Sequence, residues 1–343
     1  MANVLGSIVL GALLHPAKVV GCVSVVAGSV RDVVEAACQV RVWRPPWPCP
    51  VGAILRQQRR GFGDPTYRIQ GDGPGARHWR GIRTPAGPVT LMVQALPRLG
   101  EVVAEAWGPG AEWALGQVPA LLGADDDPSG FEPRHPVLVD LHRRHPHWRL
   151  GRSDRLFEAL VPSIVEQKVT GKEAFAGFRS LVHFHGERAP GPGHEQKLWL
   201  QPTAEVLRMI PSWEWLRLHV DPARSRTIVQ AARVGASLDR LTPADADTKL
   251  RTLPGVGVWT SAEVRQRAFG DADAVSFGDY HVAKDIGWAL LGRRIDDDEL
   301  AELLEEWRPH RARVQAYVAM AGLGAPRRGP RMSLPTHYPS KLA

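Results

Sequence analysis

The stretch "LPGVGVWT" (residues 253–260) concentrates two glycines, a proline, a tryptophan and a threonine in eight positions, directly before a helical pattern resumes. Pro254 stops the preceding helix, and Gly255 and Gly257 permit backbone conformations that a β-carbon hinders. Such a turn leaves several amide N–H groups pointing outward at the start of the next helix. Those donors suit a phosphate oxygen, met directly or through a bound cation. A tight helix–helix turn with no ligand is the competing reading of the same residues. Leu253, Val256 and Val258 are expected to hold the turn against the core. Twenty positions beyond Trp259, at the entrance to a further helix, stands Asp279. An aspartate there is either a chemical group or an N-cap.

Composition limits what those residues can serve. The 343 residues exceed the roughly 100–200 of an ordinary domain, so two domains are expected. Forty-three Lys and Arg against 36 Asp and Glu give a net charge of +7, a balance that favours a polyanionic partner. The three cysteines, Cys22, Cys38 and Cys49, match no zinc or cluster spacing, so a reduced, cytoplasmic protein is expected. The histidine-rich "HPVLVDLHRRHPHW" (135–148) carries no ligand pair on a helix face and reads as a polar surface linker.

The elements that must position the hairpin read as an α+β arrangement. Residues 1–38 form an apolar extension interrupted by Pro16 and Lys18, short of a membrane span. Residues 39–127 form a small antiparallel sheet domain, with strands at 39–43, 66–70, 78–84 and 87–95 and a covering helix at 110–123. After the turn-rich "GADDDPSGFEPRHP", residues 135–323 are helical throughout. One long pattern covers 153–184, with Ser153 or Asp154 available as N-cap and Pro162 as a kink. Further helices are expected at 203–209, 212–218, 222–238, 243–252, 259–269, 281–291, 297–307 and 309–321. Residues 324–343 form a basic, proline-rich tail.

Taken in order, "LPGVGVWTSAEV", "SFGDYHVAKD" (276–285) and "EEWRPHRARVQAYV" (305–318) resemble the helix-hairpin-helix DNA glycosylase superfamily, and within it the 3-methyladenine DNA glycosylase II branch. The resemblance covers roughly residues 39–325. It implies a small sheet domain followed by an all-helical body, and a monomer that acts on double-stranded DNA containing damaged bases, without a small-molecule cofactor or a catalytic metal. A structural monovalent cation at the hairpin belongs to the same expectation.

Mapped onto that family, Asp279 is the catalytic carboxylate, which stabilises positive charge on the sugar or orients the attacking water. Its competitors Asp271, Asp273 and Asp285 read as loop or solvated positions. Trp259 stands where lyase-type members carry a lysine, and an indole cannot form a Schiff base. The resemblance therefore implies hydrolysis, with Trp259 stacking on a base rotated out of the duplex. Tyr280, Phe277 and Glu263 complete the expected base pocket, although Glu263 could instead pair with Arg267. Glu263 and Ala319 replace aromatic residues of the family pocket, which leaves the lesion range open. Gly255, Val256, Gly257 and Thr260 are the expected hairpin contacts to DNA. In "EQKVTGKE" (166–173), Gln167 is the expected filler of the gap left by the base, and Lys168 and Lys172 the expected phosphate contacts, with Lys168 in the place of the usual apolar wedge. Arg311 and Arg313 are further candidates for backbone contact.

Overall fold

The computed structural model describes residues 38–326 and the backbone of Val20–Cys22. The rest of the apolar extension and the tail from 327 onward lie outside the described residues. Among these, one sheet of six antiparallel strands runs in the order β1 (Val20–Cys22), β2 (Cys38–Trp43), β6 (Glu101–Trp107), β5 (Gly87–Leu96), β4 (Arg77–Thr84), β3 (Tyr67–Gln70). The turn at residues 85–86 sets the register that pairs Ile82 with Val89 and Thr84 with Gly87.

Strand β6 was not expected. Its "EVVAEAW" is rich in Glu and Ala, residues depleted in strands, yet it lies between β2 and β5 with Val102, Ala104 and Ala106 turned inward. Pairing on both edges outweighs local preference. The helix Ala111–Leu121 covers the sheet through Ala114, Leu115 and Val118.

The expected helix over 153–184 is two helices, Leu156–Val165 and Gly171–His185. Pro162 does not end the first. It lacks the N–H that would bond the Glu158 carbonyl, and Gln201 Nε2 donates to that carbonyl instead at 2.8 Å. The break falls at 166–170, where Lys168 takes a left-handed φ of 55° and Thr170 caps the second helix by accepting from Glu173 N. Neither Ser153 nor Asp154 caps the first helix: Asp239 Oδ1 accepts from Phe157 N, and Asp154 itself has a positive φ. The pattern at 222–238 likewise divides, into Pro222–Arg233 and Gly235–Leu238.

The histidine-rich stretch is no linker. It forms the helix Pro136–Arg144, buries Leu138 and Leu141, and bonds His142 Nδ1 to the Tyr317 hydroxyl at 2.9 Å. It belongs to a hydrophobic core that joins the sheet to the helices Val282–Leu291, Asp297–Leu304 and Arg311–Ala321. A second core gathers the helices between 156 and 268. The hairpin packs on the second core and the Asp279 segment on the first, so the candidate site lies where the two cores meet.

Candidate functional site

The hairpin runs from the helix Pro243–Leu250 through a turn at 251–257 into the helix Val258–Phe269. Val256 N donates to the Leu253 carbonyl at 3.0 Å, and the buried Val256 side chain anchors the turn. Gly255 has φ +87°, and a β-carbon there would stand 2.1 Å from Thr227 Oγ1, so both conformation and space demand glycine. Gly257 is extended and offers no side-chain cap. The N–H groups of Val258, Trp259 and Thr260, which have no carbonyl one turn back, therefore lie at a bare positive helix end. Val258 is exposed and does not hold the turn. The outward-facing donors suit an anion.

Gln167 joins this turn to the loop between the two helices of the 156–185 segment. Its Nε2 donates to the Gly255 carbonyl at 2.9 Å and to Thr260 Oγ1 at 2.7 Å. It therefore braces the hairpin and does not project into a gap. Thr260 is buried, so its hydroxyl supports the turn and offers only its backbone N–H to a ligand. Lys168 is exposed at the apex of the loop and Lys172 on the first turn of the next helix. The carbonyl oxygens of the turn are the hard donors that a monovalent cation takes, and one lone pair of Gly255 O already serves Gln167.

Asp279 fills the cap position and keeps its second oxygen for another contact. Oδ1 accepts from His281 N at 2.7 Å and from Val282 N at 3.1 Å, capping the helix Val282–Leu291. Oδ2 accepts from Trp259 Nε1 at 3.0 Å. The indole and the carboxylate thus meet across twenty residues of sequence, both partly open to solvent. The segment that carries Asp279 is held from behind, Ser276 N donating to Gln315 Oε1 at 3.0 Å and Gly278 N to Asp297 Oδ2 at 3.0 Å.

Other expected members stand apart. Glu263 is buried, with Oε2 2.7 Å from Arg267 Nη1 and Oε1 accepting from Ser276 Oγ at 2.5 Å. Burial alone pushes its carboxyl up, but Arg267, the Ser276 hydroxyl and Arg60 outweigh this and hold it below the ordinary range. It belongs to an internal charge network, not to a pocket rim. Phe277 packs against the first core. Tyr280 is 74% exposed, with Lys284 Nζ 3.5 Å above its ring, and lines no enclosed pocket. Arg313 is fully buried on Asp126 and Arg311 is paired with Asp273, so neither faces a phosphate. Asp271 is bound by Arg265, Asp273 by Arg311 and Arg308, and Asp285 caps Ala325 N, which leaves these carboxylates to structure. Ala319 is exposed.

One participant had no signal in the sequence. Arg60, from the sheet domain, is 4% exposed and donates from Nη1 to Glu166 at 3.0 Å and from Nη2 to the Ala159 carbonyl at 3.2 Å. Only the tertiary pairing shows that this arginine clamps the loop carrying Gln167 and Lys168.

The structure thus joins a sheet domain to a helical body and sets Trp259, at the exit of the glycine hairpin, against an aspartate twenty residues on. The fold aligns with a 3-methyladenine DNA glycosylase from Archaeoglobus fulgidus at a TM-score of 0.67 and 17% identity, covering 81% of this chain and 97% of that one. It aligns with the apo-form of an 8-oxoguanine glycosylase/lyase from Clostridium acetobutylicum at 0.61 and 14%, covering 82% and 95%. In sequence the chain is 28% identical over 206 residues to the probable bifunctional transcriptional activator/DNA repair enzyme AlkA of Mycobacterium tuberculosis, over 56% of this chain and 39% of that protein. The chain thus spans well under half the length of the curated relatives it matches. No family model matches it. The resemblance to the superfamily and to its 3-methyladenine DNA glycosylase II branch holds in fold and in sequence. Among the described residues no helix is long and apolar enough to cross a membrane.

Proposed function

We propose that the chain is a monofunctional DNA glycosylase that hydrolyses the N-glycosidic bond of alkylated purines, of the 3-methyladenine and 7-methylguanine type, in duplex DNA. It acts as a monomer, in the cytoplasm at the nucleoid. The observation that carries this reading is the Trp259 Nε1 to Asp279 Oδ2 hydrogen bond at the mouth of the hairpin. The hairpin amides hold a phosphate of the damaged strand, and the withdrawn base stacks on the Trp259 ring. A methylated purine carries delocalised positive charge, which an indole face attracts by ~0.5–2 kcal/mol beyond stacking.

In the reaction the bond from sugar C1′ to the base nitrogen breaks, and its electron pair leaves with the base. The positive charge left on the sugar faces the Asp279 carboxylate. A water oxygen then bonds to C1′ and loses its proton to solvent or to that carboxylate, leaving an abasic site. Two unit charges about 4 Å apart at an effective dielectric of about 20 interact by about 4 kcal/mol, or about a thousandfold in rate. With Trp259 in place of a lysine, no covalent imine forms. A monovalent cation bound by the turn's carbonyl oxygens would add positive charge beside the phosphate.

The test is release of free 3-methyladenine or 7-methylguanine from methylated duplex DNA in single turnover. Asp279→Asn keeps an oxygen for the helix cap and is expected to slow release about a thousandfold. No release by the native chain, or equal release by the variant, overturns the proposal.

A further inference from the structure

The loop 59–65, "RRGFGDP", presents Phe62 with 90% of its surface exposed. Nothing about this loop is loose. The fully buried Asp64 carboxylate accepts from Arg60 N at 2.7 Å and from Thr66 N and Thr66 Oγ1 at 2.8 Å each. The glycines on either side of Phe62 have φ of +72° and +85°, and a β-carbon on Gly61 would stand 2.3 Å from the Phe175 ring. Arg179 Nη1 donates to the Phe62 carbonyl at 3.3 Å. Exposure of one ring alone says nothing, but here buried hydrogen bonds and two left-handed glycines fix the loop that presents it.

The position and charge of the loop define a partner for it. Arg60 clamps Glu166, the residue before Gln167, and Gln167 in turn holds the hairpin, so the Phe62 loop, the 166–170 loop and the hairpin form one continuous edge. Around Phe62 the charge is positive: the Arg59 guanidinium lies 5.7 Å from the ring centroid, and Arg179, Lys168 and Lys172 follow on the adjoining elements. Withdrawing a nucleotide from a duplex leaves an unstacked step. Here Gln167 is tied back to the hairpin and Lys168 offers a charge in place of an apolar face, so neither restores the stacking.

We infer that Phe62 supplies this face, stacking on a base of the bound duplex beside the position from which the damaged nucleotide is withdrawn. The inference rests on the DNA-binding reading above and assigns the sheet domain a direct part in it. Aromatic side chains that take an unpaired base add stacking without sequence preference.

The experiment uses the full chain and a duplex carrying a tetrahydrofuran abasic analogue flanked by 2-aminopurine, which reports stacking separately from the protein's tryptophans. Phe62→Ala is expected to weaken binding about tenfold and to abolish the 2-aminopurine signal at saturation, with thermal unfolding unchanged because the ring touches little protein. Its salt dependence stays that of the native chain, whereas Arg59→Gln lowers the slope. Phe62→Trp restores both affinity and signal. Native affinity together with native 2-aminopurine fluorescence in Phe62→Ala overturns the inference and leaves the glycosylase reading standing. Failure of the native chain to bind the duplex overturns both.

Discussion

Replacing Glu263 by Gln separates two accounts of that residue, one in which it faces the lesion and one in which it holds the body together. Its carboxylate lies 2.7 Å from Arg267 and accepts from Ser276, and Arg267 Nε reaches the Gln57 carbonyl of the sheet domain at 3.0 Å. Arg60 is close enough for its charge and that of Glu263 to favour each other's ionised forms. The amide keeps the volume and one acceptor but removes the charge beside the partly buried Arg267 and near the buried Arg60. Breaking a buried ion pair from one side costs about 3–5 kcal/mol. The lower end applies, because Arg267 retains the Glu263 and Gln57 carbonyls. A loss of about 3 kcal/mol corresponds to a Tm lower by on the order of 5–10 °C. The folded carboxyl titrates below its ordinary 4.5, so its contribution is complete above that pH and is lost as pH falls through the folded value. Urea unfolding at pH 7.5 and at pH 3.5 should therefore show a gap between native and variant chains that narrows in acid. A variant within 1 kcal/mol of native at pH 7.5, with an altered ratio of 3-methyladenine to 7-methylguanine release, would refute the reasoning and return Glu263 to the pocket.

Three further outcomes follow from other parts of the molecule. Glu158 borders a cavity of about 270 Å³ with Arg83, Arg155, Phe157, Gln201 and Asp239, and burial pushes its carboxyl up to about 7 against partial relief from Arg80 and Arg155. Stability from the neutral form is present below pH 4.5 and lost as pH rises through about 7, so Glu158→Gln should gain on the native chain between pH 5 and pH 8, by at most about 3 kcal/mol; a pH-independent difference in urea midpoints counts against this. Gly255→Ala forces a β-carbon into the left-handed region and onto Thr227, and should lower stability by about 2 kcal/mol or more with weaker binding to abasic-analogue duplex; native-like melting and affinity would contradict the strain. Borohydride added during turnover should trap no protein–DNA adduct, since position 259 has no amine, and a trapped adduct would exclude the hydrolytic assignment.

The chemistry-bearing spacing was legible because it is local: a proline, two left-handed or extended glycines and an aspartate before a helix are each set by backbone conformation. The strands at 39–43 and 87–95 were legible for the same reason, from alternation bounded by turns. What escaped was set by contacts distant in sequence. β6 is a strand because β2 and β5 flank it, despite its Glu and Ala. Pro162 sits inside a helix because Gln201 satisfies the carbonyl it leaves bare. The pairing of Glu263 with Arg267 one turn on was legible as an alternative to a place on the pocket rim, but its burial beside Arg60, from the sheet domain, was not. Arg313, a plausible phosphate contact in sequence, is fully buried on Asp126.

In the proposed reaction, the cap and the chemistry of Asp279 are not alternatives. A free aspartate side chain rotates about two bonds, and a carboxylate that drifts by an ångström from a developing charge loses much of its effect. Here two backbone N–H groups fix Oδ1, and Trp259 Nε1 approaches Oδ2. The cap spends one oxygen to aim the other. It also ties the proposed reacting group to the helix start, to Asp297 through Gly278 and to Gln315 through Ser276, so its position is set by the first core while Trp259 comes from the hairpin on the second. In Asp279→Asn the Oδ1 contacts survive, but the amide NH2 would meet the indole N–H, two donors facing one another. The variant should therefore lose the Trp259 contact as well as the charge, and a second variant, Trp259→Phe, separates the two. With the charge kept and the donor gone, release should fall by much less than the thousandfold expected of the asparagine, on the order of tenfold for one hydrogen bond to a charged group. Equal losses in both variants would mean that the indole, not the carboxylate, carries the rate.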